Sequence, residues 1–117
     1  EGMRRVVNVA GGTAKSARLD SIVICGKTGT VQNPHGKDHS VFIAFAPIDN
    51  PKIAIAVFIE NAKGGGGLWA CPTAGLMIEK YLKREVKRKY LENYILNGNL
   101  MEEYLKPYTK NNFSINE

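Results

Sequence analysis

The 117-residue chain reads as an α+β domain: a three-stranded antiparallel sheet packed by a C-terminal helix, with a second, short helix at the N-terminus. Three observations predict it. Runs rich in β-branched and aromatic residues recur three times between residues 22 and 59, and the turns between them are too short to hold a crossover helix, which leaves antiparallel pairing. Past Gly64-Gly-Gly-Gly67, Pro72 opens a segment with apolar residues at helical spacing. Near the start, Met3, Val6 and Val7 fall on one side at the same spacing.

Taken in order, residues 2–9 form the short amphipathic helix, and Gly11-Gly12 stops it. Thr13 to Asp20 is a polar connector. The first strand begins at Ser21 with Ile22, Val23, Ile24 and Cys25, and Gly26 and Gly29 interrupt it; glycines inside a strand mark close approach by a ligand or another backbone. Asn33-Pro-His-Gly36 is a turn, because proline fixes φ and glycine permits positive φ. The second strand, Ser40 to Ala46, ends at Pro47, and Asp49-Asn50-Pro51 turns the chain into the third, Lys52 to Ile59. Every position after Lys52 in that strand is apolar, which predicts burial on both faces. The first strand then lies at one edge of the sheet. The helix from Pro72 carries an apolar stripe of Ala74, Met77, Ile78, Tyr81 and Leu82 and continues to about Leu96, where Asn97-Gly98 stops it. Asn99 caps a last short helix around Leu100–Leu105, and the tail from Pro107 is polar.

Composition narrows the function. A chain of 117 residues, 44% of them hydrophobic, supports one modest core and not two domains. No apolar run approaches the roughly 20 residues that cross a bilayer. The chain starts at Glu1 without a charged-then-apolar leader, so we expect a piece of a longer protein whose signal or anchor lies upstream. The net charge of +5 is spread: residues 1–60 hold seven basic and five acidic residues, the remainder nine and six. The densest basic run, Lys83 to Lys89, is broken by Glu85 and Val86, so it reads as a solvated helix face and not as a nucleic-acid patch. Cys25 and Cys71 fit no metal or redox spacing and read as buried free thiols, although spacing alone also permits a pair.

Gly26-Lys27-Thr28 invites a phosphate-loop reading, which fails on two counts. That loop needs glycine five residues before Gly26, where Ser21 stands, and a helix directly after the Lys-Thr, where Gly29 and Pro34 stand. The better reading is a Lys-Thr-Gly edge strand that walls an acyl-transfer site. There the lysine brings fixed positive charge, hydroxyls bind a substrate carboxylate, and the glycine lets substrate lie against the strand. A backbone N–H beyond the glycine can stabilise an oxyanion. Three residues by themselves also fit a surface turn with a solvated lysine. His35 and His39 have the spacing of a zinc pair only on a helix, and Pro34 and Gly36 make a turn, so they read as surface or hydrogen-bonding histidines. Gln32 and Asn33 line the groove or form the turn. Trp69 reads as a core or helix-start anchor, and Tyr81, Tyr90, Tyr94 and Tyr104 as half-buried helix contacts.

Gly26-Lys-Thr-Gly-Thr-Val-Gln-Asn-Pro-His-Gly-Lys-Asp-His-Ser40, Phe42-Ile-Ala-Phe-Ala-Pro47, Ala54-Ile-Ala-Val57 and Glu60-Asn61 together resemble the end of the transpeptidase domain of class B penicillin-binding proteins. Within that family the chain is most similar to the elongation-type penicillin-binding protein 2 group. Gly12-Thr13-Ala14 and the Pro72 helix also fit, and Lys-Thr-Gly is the third of three active-site motifs in these enzymes. The resemblance implies a fragment of the β-lactamase/transpeptidase-like fold, with residues 1–106 as the C-terminal portion of the domain and 107–117 as a polar tail. It implies D,D-transpeptidation: a serine attacks a D-Ala-D-Ala stem peptide, releases D-Ala and passes the acyl group to an amine of a neighbouring stem. β-Lactams acylate the same serine. By the same resemblance Lys27 places positive charge near the nucleophile, Thr28 and Thr30 recognise the carboxylate of substrate or drug, Gly29 gives clearance, and Gln32 borders the substrate. The N–H of Thr30 would form half of an oxyanion hole, worth about 2.7–4 kcal/mol by comparison with other such donors.

The chain contains no Ser-x-x-Lys: Ser16, Ser21, Ser40 and Ser114 are followed three places later by Leu19, Ile24, Ile43 and Glu117. Ser114-Ile115-Asn116 matches Ser-x-Asn only formally, since it follows Lys-Thr-Gly in the wrong order. The nucleophile and its lysine are therefore expected in an upstream part of the same domain, and this chain alone is expected to be inactive. The expected partners are peptidoglycan stem peptides, β-lactams and that upstream part, with no nucleic acid, metal or cofactor. The expected location is the cell envelope, on the periplasmic face of the inner membrane, through an anchor outside this chain. The resemblance also implies that an upstream strand pairs with Ile53–Ile59, so this strand is expected to be an unprotected, association-prone edge in the isolated chain. A second reading is a penicillin-recognising sensor module of the same fold without transpeptidase activity.

Overall fold

The computed structural model describes residues 1–62, 65 and 67–100. Helix α1 (Gly2–Asn8) and a 3-10 turn at Lys15–Ala17 precede strands β1 (Cys25–Val31), β2 (His39–Ala46) and β3 (Ile53–Ile59), which are followed by helices α2 (Ala70–Lys83) and α3 (Lys89–Leu96). The strands form one antiparallel sheet in the order β1-β2-β3, so the expected meander holds and β1 and β3 are both edges. The expected helix around Leu100–Leu105, Tyr104, Ser114-Asn116 and the tail 107–117 lie outside the described residues.

One face of the sheet carries the core. Phe42, Ala44 and Ala46 of β2 pack with Ile24, Val7, Ala14 and Ala17, and with Ala70, Cys71, Ala74 and Ile78 of α2; Ile53, Ile55, Val57 and Ile59 of β3 join from the edge. Side chains alternate along a strand, so the other face holds Ile43 and Phe58, which are 48% and 54% exposed. The expectation that β3 is covered on both faces is therefore corrected: Ala54, Ala56 and Phe58 are open and only the alternate positions reach the core.

Three further expectations change, each because of a contact between distant residues. The strand does not begin at Ser21: Ser21, Ile22, Val23 and Ile24 precede β1, and the Val23 carbonyl accepts the Ile48 N–H at 3.0 Å. The connector is no loose polar segment, since Ala14, Ala17 and Leu19 are core and the 3-10 turn lies against Gly75 of α2, where a Cβ would come within 2.7 Å of Ala17 Cα.

The helix from Pro72 starts two residues earlier, at Ala70, and ends at Lys83 instead of continuing to Leu96, because Arg84 adopts the left-handed conformation at φ 66°. That turn delivers Lys87 and Arg88 to Glu79, whose carboxylate is 2% exposed. The Lys87 N–H and Arg88 Nε donate to its two oxygens, each at 3.0 Å. Arg88 Nη1 also reaches the carbonyls of Ser16 and Arg18 at 3.0 and 2.9 Å. The buried face of α2 consequently includes Gly75 and Glu79, while Met77 and Tyr81 of the expected stripe are exposed. Tyr90 is also exposed, whereas α3 is held by buried Leu91 and by Tyr94, which stacks on Trp69 at 5.2 Å. Trp69 is thus the helix-start anchor expected of it. Cys25 and Cys71 are free and buried, and burial pushes both thiols above their ordinary pKa.

Candidate active-site wall

Strand β1 is held at both ends. The Asn8 side chain donates to the carbonyls of Ile24 at 2.7 Å and Arg4 at 2.8 Å, which fastens α1 to the entry of the strand. At the far end Asn33 closes the turn: its N–H donates to Asp38 Oδ1 at 3.1 Å, its Nδ2 to Lys37 O and Asn61 Oδ1 at 3.2 and 2.7 Å, and its Oδ1 accepts the His35 N–H at 3.1 Å. Asn33 is therefore a turn residue. Gln32 is exposed beside it. His39 Nδ1 accepts the Asn61 N–H at 2.9 Å, and its ring meets Phe58 at 5.2 Å, so His39 is a hydrogen-bonding histidine.

Between those ends Lys27, Thr28, Gly29 and Thr30 pair with Ile43, Phe42, Val41 and Ser40. Alternation divides them. Lys27 and Gly29 lie on the open face with Ile43 and Val41, whereas Thr28 and Thr30 stand on the helix-covered face, opposite Phe42 and Ser40. The Lys27 ammonium turns back along the strand and donates to the Thr28 carbonyl at 2.7 Å. The structure thus brings the two threonines together and sends the lysine off the other face of the same edge. As an edge strand among the described residues, β1 directs alternate backbone N–H and C=O groups away from β2, the side on which an extended ligand can add.

The two glycines of the strand differ in kind. At Gly26 a side chain would collide with the buried Phe42 ring, so this glycine serves packing. At Gly29 a Cβ would meet nothing closer than Val41 Cβ at 3.6 Å, an ordinary contact. Nothing in the described chain requires glycine there, and the space above it is open.

The hydroxyls of Thr28 and Thr30 do not stand alone. Thr13 Oγ1 lies 3.0 Å from Thr28 Oγ1. Gly65 passes over Thr30, so that a Cβ on it would lie 2.8 Å from Thr30 Oγ1, and it takes φ +80°, a conformation that favours glycine. Ser40, fully buried, donates to the Gly65 carbonyl at 2.8 Å and accepts the Ala70 N–H at 3.2 Å. One serine therefore ties Gly65 to the sheet and satisfies one of the amides that open α2. Thr13, Ser40 and Gly65 escape a reading by motif; the one local signal is the Gly12-Thr13-Ala14 run, where small residues flank a hydroxyl.

The model of the penicillin binding protein transpeptidase domain family matches residues 1–77. The chain belongs to this family. It is 39% identical over 101 residues to the peptidoglycan D,D-transpeptidase MrdA of Haemophilus influenzae, covering 73% of this chain and 15% of that protein. The crystal structure of Pseudomonas aeruginosa PBP2 in complex with WCK 5153 matches with a TM-score of 0.61 and 37% identity, over 76% of this chain and 20% of that one. Penicillin-binding protein A of M. tuberculosis, as a ceftriaxone acyl-enzyme complex, matches with a TM-score of 0.54 and 34% identity, over 58% of this chain and 17% of that one. The sheet and its helices are thus part of the transpeptidase fold, and the resemblance to class B penicillin-binding proteins holds. The chain spans a fifth or less of the length of these relatives. Among the described residues no helix is long and apolar enough to cross a membrane.

Proposed function

We propose that this chain supplies the Lys-Thr-Gly wall of a peptidoglycan D,D-transpeptidase that cross-links stem peptides through a serine acyl-enzyme and is acylated by β-lactams. The observation that carries the reading is Gly29: an open position in the middle of an edge strand, flanked by Lys27, Thr28 and Thr30, where an extended substrate can add alongside β1.

In this reading the roles follow the geometry. A stem peptide or opened β-lactam adds along the outer edge of β1, where Gly29 leaves clearance on one face and the Thr28 and Thr30 side chains stand on the other. Thr28 and Thr30 donate hydroxyl hydrogens to its carboxylate, and Lys27, compact and mobile on its four-carbon stem, swings from the Thr28 carbonyl to place positive charge beside the serine. The Thr30 N–H stabilises the oxyanion that forms when the serine oxygen attacks the carbonyl carbon. Gln32 borders the groove at the strand's end. The serine and its lysine come from a part of the parent protein outside this chain, which therefore reacts only within the whole domain.

We assign residues 1–106 to the domain and 107–117 to a tail; the packing of α3 through Leu91 and the Trp69–Tyr94 stack supports including α3. The relative's activity favours the enzyme over the sensor module. The parent acts at the cell envelope, on the periplasmic face of the inner membrane, with a membrane anchor outside this chain and a role in cell shape. Labelling of the parent with a fluorescent penicillin, competed by a D-Ala-D-Ala stem peptide, tests the reading; a parent that takes up no label refutes it.

A further inference from the structure

We infer that Thr13 is a positioning residue for the Thr28 hydroxyl, setting that hydroxyl to donate its hydrogen to the carboxylate of a substrate or β-lactam; the inference rests on the proposed role of β1. The two side-chain oxygens stand 3.0 Å apart across 15 residues of sequence. A hydroxyl has one hydrogen to give and two lone pairs with which to accept. If Thr13 donates to Thr28, the Thr28 hydrogen is free for an incoming carboxylate, and the bond it accepts polarises it as a donor. Without Thr13, Thr28 Oγ1 has a free lone pair and a hydrogen with no set direction.

Thr13 is held as a positioning group must be. Gly12 approaches the carbonyls of Val6 and Arg5 so closely that a side chain has no room, and the Ala14 N–H donates to Val6 O at 3.1 Å. Ala14 is fully buried and its carbonyl accepts the Cys71 thiol at 3.4 Å. On the other side Gly67 lies against the Thr13 carbonyl, where a Cβ would come within 2.9 Å. Helix α1, helix α2 and Gly67 therefore flank the backbone at Thr13 from three directions, and a β-branched side chain has few rotamers left to choose. Gly65 in turn lies against Thr30, so both threonines of the wall have a neighbour outside the sheet.

The experiment uses the full-length parent protein with Thr13→Val, Thr13→Ser and Thr13→Ala. The second-order acylation rate is measured for a β-lactam with a free carboxylate and for its methyl ester. A misdirected, weaker hydrogen bond from Thr28 to the carboxylate predicts a rate about tenfold lower for Thr13→Val and Thr13→Ala with the free acid. The ester, which has no carboxylate to orient, reacts with all forms at equal rate, and Thr13→Ser restores the wild-type rate with the acid. Unchanged acid rates in Thr13→Val and Thr13→Ala overturn the inference. So does an equal loss with acid and ester, which marks a structural role, as does a lowered melting temperature shared by all three variants. A wild-type protein that treats acid and ester alike overturns instead the reading of β1 as a carboxylate-binding wall, and is thereby distinguished.

Discussion

The ring of Phe42 fills the place that a side chain at position 26 would need. Phe42 is fully buried, so the ring has nowhere to retreat. Gly26→Ala is expected to cost about 1–3 kcal/mol by overpacking, read as a lower urea midpoint. Gly29→Ala, in ordinary contact with Val41, should be neutral or stabilising by up to about 0.5–1 kcal/mol, because alanine gives up less backbone freedom than glycine on folding. In the parent protein that same stable variant should acylate more slowly, since the methyl group narrows the clearance that Gly29 leaves for substrate along the edge of β1.

Arg88→Ala removes the partner of a carboxylate that is 2% exposed. Breaking a buried pair from one side costs about 3–5 kcal/mol, so this variant should lose most of the stability of a small domain. Glu79→Gln with Arg88→Met, which removes both charges together, should recover more than half of that loss in the same denaturation experiment. If the double change is as damaging as the single, the pair is not what joins α2 to the 3-10 turn.

Among the described residues, strand β3 has no partner on the side away from β2, from Ile53 to Ile59. The isolated chain is expected to self-associate at high micromolar concentration, seen as a rising weight-average mass in sedimentation. Ala56→Lys, on the open face of that edge, should hold it monomeric. A wild-type chain that stays monomeric throughout sinks the expectation.

Cys25 and Cys71 have raised pKa values in the folded state because burial disfavours the thiolate. The unfolded chain therefore releases these protons first, at about pH 8.5. It then binds fewer protons than the folded chain, so stability falls as pH rises past that value. Urea midpoints between pH 7 and pH 10 check this: the fall should be shallower in Cys25→Ala with Cys71→Ala than in the wild type. Both thiols should react with a disulfide reagent only after unfolding.

Much of the fold is legible because its signals are local. Asn33-Pro-His-Gly36 and Asp49-Asn50-Pro51 are turns by their own chemistry, and the apolar runs between them have one simple way to pair. The Lys-Thr-Gly-Thr stretch likewise carries its meaning in adjacent residues. Helix α2 shows where such reading stops. Periodicity assigned Met77 and Tyr81 to the core, yet the helix buries Gly75 and Glu79. Gly75 is buried because Ala17 crosses there, and Glu79 because Arg88 is brought round by the left-handed turn at Arg84. Neither partner is within a helical turn of the residue it governs.

The sequence by itself determined that there are three strands and which turns join them, which strand carries the motif and that this strand lies at an edge, since each follows from backbone preference or side-chain character over a few residues. Only the tertiary structure decided which side of α2 faces inward, that Lys27 leaves β1 on the face opposite Thr28 and Thr30, and that Thr13 meets Thr28. These depend on contacts across 9 to 72 residues of chain, and a hydrogen bond of about 3 Å exists only once packing has brought both groups to the same place.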